Sequence, residues 1–312
     1  MIRSKLIETA YQRGNELTIS NEFYFRWLEQ FFDREYGEDV GNRDLTSEAL
    51  LISDRKGRAK LNSKHTGLVG GVEEVSWFFK KHGLEVNVHV KDGEEVQKRG
   101  TVLEVSGAQK DLLATERIGL NVLQRMSGIA TETRNLVELT KHYKTRIAAT
   151  RKTTLRYLDK KAVFLGGGLT HRFGLWDSIL IKDNHLEVLR KEGIGNYIER
   201  AIDMASAFLG EAGFLEIETT NRDEALRAAG KFGQLKLEKP CIIMLDNMSP
   251  SEIKQTIKKL KEENLYDHVL LEASGNISRK NIVRFAETEV DVVSLGYLTH
   301  SVIAFDMSLE MT

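Results

Sequence analysis

The chain has 312 residues, enough for one large domain or two ordinary ones, and its 41% apolar and 29% charged content excludes a disordered or fibrous chain. A formal net charge of -1 supplies no overall basic field. That argues against nucleic acid as a partner and leaves any anionic ligand to local clusters of cations. The lone cysteine, Cys241, sits in the apolar run Cys241-Ile242-Ile243-Met244-Leu245, so no disulfide can form within the chain. This fits a reducing, cytoplasmic setting. No apolar run reaches transmembrane length, and the opening MIRSKLIETAYQRG does not read as a signal peptide, so no membrane partner is expected.

Residues 1–36 carry apolar positions at helical spacing, with Phe23, Phe25, Trp27, Leu28, Phe31 and Phe32 as an aromatic stripe. Such a stripe reads as core or a subunit contact. From Gly57 to Gly107 the period shifts towards two. Ala59–Asn62, Leu68-Val69, Leu84–Val90 and Thr101–Val105 read as strands, Val72–His82 as an amphipathic helix, and Lys91-Asp92-Gly93 as a turn. This is a small α+β unit without a catalytic constellation. Leu112–Leu139 is strongly helical; on residue type alone its Arg117 reads as one half of a surface ion pair.

After Lys144 the rhythm becomes strand, loop, helix, repeated. The apolar runs are Ile147–Thr150, Ile179–Ile181, Phe214–Glu218, Ile242–Leu245, Val269–Leu271 and Val292–Leu295. Helical segments at Ile198–Leu209, Arg222–Gly230, Ser251–Glu263 and Ser278–Glu287 separate several of them. Alternation of this kind predicts parallel strands with helical crossovers. No Gly-x-Gly-x-x-Gly follows the first strand, and the strands run into Arg151-Lys152, Lys182-Asp183, Glu216/Glu218, Asp246-Asn247, Glu272 with Ser274-Gly275, and Gly296. Polar residues at the C-terminal ends of many strands favour a barrel over a doubly wound sheet.

The chemistry concentrates in Ile147–His185, where Arg151, Lys152, His171, Arg172 and Lys182 are five potential cations around Gly166-Gly167-Gly168. Each alone could be a solvated surface charge; the set points to an anion. Later strands contribute the carboxylates Glu218 and Asp246 and the small residues Ser274, Gly275 and Gly296. The asymmetry predicts two neighbouring subsites. The triple glycine lacks the Lys-Ser/Thr of a P-loop and reads as a site of close backbone packing.

Thr150–Thr154 (TRKTT), Gly166–Arg172 (GGGLTHR) and Leu180–His185 (LIKDNH), in this order and spacing, resemble the quinolinate phosphoribosyltransferase family. The likeness runs from about Arg43 to the C-terminus and includes Asp44-Leu45-Thr46 and the helical run from Glu116-Arg117 to Thr131. It implies an N-terminal α+β sandwich domain over residues 1–119, rejoined by about 300–312, and an α/β barrel with an incomplete strand count over 120–299. It also implies transfer of the phosphoribosyl group of phosphoribosyl pyrophosphate to quinolinate with decarboxylation, in de novo NAD biosynthesis. Arg151, His171, Arg172 and Lys182 match quinolinate-binding positions, and Lys152 one placed between the two substrates. Glu218 and Asp246, as carboxylates at strand ends on the other side, can hold the ribose hydroxyls of phosphoribosyl pyrophosphate and a hydrated Mg²⁺, while Ser274, Gly275, Asn276 and Gly296, at the ends of late strands, are candidates for the 5-phosphate. Lys152, Lys182, Glu218 and Asp246 would carry the chemistry. The resemblance further implies a homodimer or larger homo-oligomer in which Arg117 completes the partner's site.

The chain departs from the family pattern in four places. Ala149 replaces the aspartate usual before TRKT, and the Pro-Gly usual after TRKTT is missing. Asn276 replaces a glycine, and Tyr297 a small residue. These sit beside the expected phosphoribosyl site. Competing readings are a related phosphoribosyltransferase for another pyridine or heterocyclic acid, a Schiff-base aldolase built on Lys182, and a non-enzymatic anion-binding protein. The aldolase would need an apolar pocket around the lysine. Simple anion binding would have no use for Glu218 and Asp246.

Overall fold

The computed structural model describes residues 3–51 and 55–312; Met1 and Ile2, at the head of the 1–36 segment, and residues 52–54 lie outside the described residues. In chain order the first elements are α1 (Arg3–Tyr11), α2 (Glu22–Val40), α3 (Leu45–Leu50), β1 (Lys56–Ser63), β2 (Gly67–Leu68), α4 (Val72–Lys81), β3 (Glu85–Val88), β4 (Glu95–Val96), β5 (Thr101–Ala108) and α5 (Gln109–Thr140). Then follow β6 (Arg146–Ala148), α6 (Arg156–Leu165), β7 (Ile179–Ile181), α7 (Asp183–Lys191), α8 (Tyr197–Ser206), β8 (Leu215–Thr219), α9 (Arg222–Leu235), β9 (Cys241–Asp246), α10 (Pro250–Glu262), β10 (Leu270–Ser274), α11 (Ile282–Ala286), β11 (Val292–Ser294), α12 (Tyr297–His300) and β12 (Met307–Met311). No described helix is long and apolar enough to cross a membrane.

The chain forms two compact units. One comprises Gly14–Arg134, Thr154–Gly167 and Leu298–Thr312. Its sheet is antiparallel in the order β12-β1-β5-β3, so the C-terminal strand returns to pair with β1, Leu61 opposite Leu309. Of the aromatic stripe of α2, Leu28, Phe31 and Phe32 are core, joined by Tyr24, whereas Phe25 and Trp27 are half-buried and Phe23 is exposed; Phe32 stacks on Phe78 of α4 at 4.4 Å between ring centroids. Asn21 caps α2 through its side chain, which accepts from the N–H groups of Phe23 and Tyr24. Lys161 of α6 is buried between Glu73 and Glu74, and the Tyr24 hydroxyl donates to Glu74 at 2.6 Å. Gly166 packs against α5, where a Cβ would lie 2.6 Å from the Ala130 carbonyl oxygen. The triple glycine thus serves close backbone approach.

The other unit holds residues up to Arg13, Asn135–Thr153 and Gly168–Tyr297. Its sheet is parallel, in the order β6-β11-β10-β9-β8-β7. Strands adjacent in sequence from β7 to β11 lie side by side, and β11 returns to β6, which is the connectivity of a barrel. Leu169 bridges to Ala148 on the other side of β6. Among the described residues no pairing joins that segment to β7, so the ring stays incomplete.

Alternation along each strand sorts the inward side chains into layers. The lowest is apolar, with Ala148, Leu169, Phe214, Ile242, Leu270 and Val292. Ile7, Ala10 and Tyr11 of α1 pack into the same cluster. Two residues further along come Glu216, Met244, Glu272 and Ser294, and two more give Glu218, Asp246 and Ser274. The boundary drawn at 119–120 falls inside the continuous helix α5, and residues up to Arg13 belong with the parallel sheet. The physical reason is the apolar face of α1, which is buried in the lowest barrel layer.

Candidate active site

A cavity of about 290 Å³ opens over the C-terminal ends of the barrel strands. Thr150, Arg151 and Lys152 line it after β6, and His171 and Arg172 from the segment that follows Leu169. Leu180 and Lys182 come from β7, Glu218 from β8, and Met244, Asp246 and Asn247 from β9. Glu272, Ser274, Gly275, Asn276 and Ser294 complete the wall. Ten of the twelve site residues expected from the sequence are therefore gathered in one place. Gly296 is half-buried just after β11 and does not line the cavity. Arg117 is exposed on α5, in the part of that helix that belongs to the other unit.

The cationic side of the cavity is under-neutralised. Among the described residues Arg151, Arg172 and Lys182 make no ion pair within 4.0 Å. Arg172 is buried and donates from Nη1 to the Ser178 carbonyl at 2.8 Å. Burial, and next the charge of Arg151, pull its affinity for a proton below that of a free arginine. The charges of Glu216, Asp177 and Glu272 offset this in part, and a bound anion would relieve the repulsion between the two arginines. Lys182 is exposed, not set in an apolar pocket, so the condition for a Schiff-base lysine is not met.

Beside Lys182, Glu218 and Asp246 are half-buried at the ends of adjacent strands. Burial pushes the Glu218 carboxyl above the ordinary carboxylate range; Lys182 opposes this, and the charge of Asp246 adds to it. Burial likewise raises Asp246, against the Asn247 hydrogen bond of 2.6 Å and the Lys152 charge. Glu218 also accepts from the Asp183 N–H at 3.3 Å. Next to them Gly275 adopts φ +93°, and a Cβ there would lie 2.3 Å from the Asn247 Oδ1. Only glycine fits that crossing, which brings bare backbone to the cavity wall. Asn276 itself has φ 54°, a conformation asparagine tolerates better than most residues, and its Nδ2 donates to Asn247 Oδ1 at 3.0 Å. The replacement of a glycine by Asn276 thus keeps the turn.

Beneath these groups lies an arrangement that strand-end reasoning did not single out. His171 Nε2 is 3.2 Å from Glu272 and 3.5 Å from Glu216, with all three residues buried. The Arg172 N–H donates to His171 Nδ1 at 2.7 Å, so Nδ1 is the acceptor and the ring proton belongs on Nε2, facing the carboxylates. Ser294 donates to Glu272 at 2.5 Å, whereas neither oxygen of Glu216 has a hydrogen-bond partner. One imidazole and two carboxylates are ligand types able to hold a divalent ion, and their atoms lie within 4.8 Å of one another. The signal available in sequence was the i, i+2 spacing of Glu216 and Glu218 on one strand, which puts both carboxylates on one face at different depths.

Burial, reinforced by the charge of Glu272, holds the Glu216 carboxyl well above its ordinary value of 4.5. In the unfolded chain it titrates near that ordinary value, so folding takes up a proton above it. The stability this group contributes is complete below pH 4.5 and is lost as pH rises through the folded value. Glu216→Gln removes the exchange. Its unfolding free energy, read from urea titrations, should match the parent's near about pH 4 and exceed it increasingly as pH rises, by up to about 1.4 kcal/mol per pH unit. A constant difference across that range would mean that Glu216 is ionised in the folded protein.

Comparison with known proteins places this geometry. Residues 129–310 match the quinolinate phosphoribosyl transferase C-terminal domain family, and residues 44–127 the corresponding N-terminal domain family. A probable nicotinate-nucleotide pyrophosphorylase [carboxylating] of Methanothermobacter thermautotrophicus is 38% identical over 277 residues, covering 88% of this chain and 95% of its own. One of the same description from Bacillus subtilis is 35% identical over 289 residues, covering 91% and 93%. The solved structure of the nicotinate-nucleotide pyrophosphorylase from Francisella tularensis superposes with a TM-score of 0.79 at 31% identity, over 91% of this chain and 96% of that one.

Proposed function

Because this chain belongs to the quinolinate phosphoribosyltransferase family, we propose that the barrel cavity is its active site, with quinolinate on the cationic side and phosphoribosyl pyrophosphate on the carboxylate side. The enzyme transfers the phosphoribosyl group to quinolinate with decarboxylation, giving nicotinate mononucleotide, pyrophosphate and CO₂. The observation that carries the site assignment is the set of cations Arg151, Arg172 and Lys182, without ion pairs of their own among the described residues, lining one cavity with Glu218 and Asp246, Lys182 standing at the end of the strand next to that of Glu218.

In this reading Arg151 and Arg172 receive the two carboxylates of quinolinate, for which the planar guanidinium fork is suited. Lys182 adds charge beside them, and His171 orders the wall by fixing the Arg172 backbone. The pyridine nitrogen attacks C1 of the ribosyl group as the bond to pyrophosphate breaks. Lys152, placed towards Asp246, neutralises charge on the departing group. The positive charge of the new pyridinium nitrogen stabilises the electron pair left on the adjacent ring carbon when its carboxylate departs as CO₂, and a solvent proton then bonds to that carbon. Glu218 and Asp246 hold the ribose hydroxyls. Two half-buried carboxylates, with the charge of Asp246 raising the proton affinity of Glu218, also fit a Mg²⁺ that would keep most of its waters. When bound, that ion supplies positive charge to the pyrophosphate. Ser274, Gly275, Asn276 and the backbone near Gly296 are assigned to the 5-phosphate. A cytoplasmic location belongs to this reading; it is supported by the single cysteine, whose thiol burial pushes up to about 12.

The direct test follows carboxyl-labelled quinolinate with phosphoribosyl pyrophosphate and Mg²⁺. Labelled CO₂ and nicotinate mononucleotide should appear together, and nicotinate in place of quinolinate should yield no nucleotide. Nucleotide formed from nicotinate, or from another heterocyclic acid in preference to quinolinate, would overturn the substrate assignment.

The same reading includes a homodimer in which the partner subunit's Arg117 completes each site. Its support is the exposed position of Arg117 on α5 together with the family resemblance of that helix. Arg117→Ala and Lys182→Ala should each be inactive alone. Mixed and allowed to exchange, they should recover about a quarter of parental activity, because about half the dimers are mixed and one of their two sites is intact. Exchange verified by mass spectrometry with no recovered activity would place Arg117 outside a shared site.

A further inference from the structure

His171 has φ 54°, in the left-handed region, where a non-glycine residue persists only if its surroundings hold it. What holds it is α1, which lies before residue 44, where the family match begins. The His171 N–H donates to the Tyr11 carbonyl at 2.8 Å. The Thr170 hydroxyl donates to the same carbonyl at 3.0 Å and accepts from the Arg13 N–H at 2.8 Å. The Tyr11 ring meets the imidazole edge-on, with centroids 5.1 Å apart and planes at 82°, and stacks on Phe214 at 5.9 Å. Tyr11 is fully buried.

The helix is itself fixed to the base of the barrel. Arg3 grips Asp291 with two hydrogen bonds of 2.6 Å and donates to the Val269 carbonyl at 2.8 Å. Glu8 accepts from Arg146 at the start of β6 at 2.7 Å. Position is therefore passed from the base upward: strand starts hold α1, the end of α1 holds His171, and His171 Nδ1 holds the Arg172 N–H. We propose that α1 sets the quinolinate subsite from below, with Tyr11 as a positioning residue that acts through His171 on Arg172. This rests on the assignment of Arg172 to quinolinate.

The test is steady-state kinetics on the full-length enzyme. Tyr11→Ala should raise KM for quinolinate about tenfold and leave KM for phosphoribosyl pyrophosphate within about twofold. Tyr11→Phe, which keeps the ring contact, should restore quinolinate KM to within about threefold of the parent. In a His171→Ala background, Tyr11→Ala should add less than about twofold, since the residue through which it acts is already gone. Equal shifts in both KM values, or an undiminished effect in the His171→Ala background, would overturn the proposal, because general loosening does not choose one substrate. Should Tyr11→Ala not fold, Thr170→Val removes the hydroxyl that ties Arg13 to the Tyr11 carbonyl and should raise quinolinate KM at least about threefold. A second readout needs no substrate: ¹⁵N-labelled histidine spectra should show His171 as the Nε2–H tautomer in the parent and lose that fixed state in the variant. If the parent fails to turn over quinolinate, the functional reading falls, and the spectra decide the positioning role by themselves. An unchanged His171 signal in the variant overturns it.

Discussion

Arg151→Ala and Arg172→Ala should each weaken quinolinate binding by about 2–4 kcal/mol, roughly 30- to 1000-fold, as read by calorimetry. The two arginines differ in setting. Arg172 is buried and already stripped of water, with its guanidinium fixed on the Ser178 carbonyl. Its cost of ordering is therefore met before the ligand arrives, and its loss leaves a carboxylate in a dry pocket without a donor fork. Arg151 is exposed, so solvent and salt moderate its contribution, and its variant should fall at the lower end of the range. The like charges of the two disfavour one another in the free protein, and a dianion relieves that repulsion. Arg172→Lys should recover little, since a point charge does not reproduce the planar pair of donors. Affinities within about twofold of the parent for both alanine variants would remove the two-carboxylate assignment.

The barrel was legible because parallel strands alternate with helices and end in polar residues. The run Ile179–Ile181 is β7 without change, and Phe214–Glu218 and Ile242–Leu245 differ from β8 and β9 by a residue at the ends. Where the limits moved, hydrogen bonding decided. Leu84–Val90 shortens to Glu85–Val88 because the His89 and Val90 N–H groups both turn to the one Val102 carbonyl of β5, which ends the regular ladder, and Ser278–Glu287 shortens to Ile282–Ala286 because Asn281 Oδ1 accepts from the Ser278 N–H and turns the chain before the helix. Lys56–Ser63 is longer than the expected Ala59–Asn62, since β1 pairs on both edges.

The upper layer of the site could be read from strand ends, but its depth could not. Glu216 and Glu218 are two residues apart on one face, and only the stacking of layers shows that one is sealed beneath His171 while the other meets the cavity. Tyr11 was out of reach for a different reason. It lies in a helix of unremarkable composition whose role depends on contacts some 160 positions away, and no local pattern encodes such a partner. Arg117 stands at the opposite limit: its family motif is plain, yet an exposed arginine on a helix has no local feature that separates a shared site from a surface charge.

Glu218→Ala and Asp246→Ala should lower turnover by roughly 10²- to 10³-fold while quinolinate affinity stays within about twofold of the parent. Both carboxylates stand at the ends of adjacent strands, and the charge of Asp246 raises the affinity of Glu218 for protons. Removing one leaves the cationic subsite intact but deprives the ribosyl group and its metal of a charged anchor. The half-saturating Mg²⁺ concentration should rise with the loss of turnover, because an ion held by few protein ligands depends on each. Glu218→Gln separates charge from hydrogen bonding: it keeps an acceptor for the Asp183 N–H and loses the charge, so it should resemble the alanine variant if charge dominates. Calorimetry with quinolinate and initial rates across a Mg²⁺ titration provide the two readouts. A variant that loses quinolinate binding while retaining parental Mg²⁺ dependence would place that carboxylate in the quinolinate subsite and undo the division of the cavity into two halves.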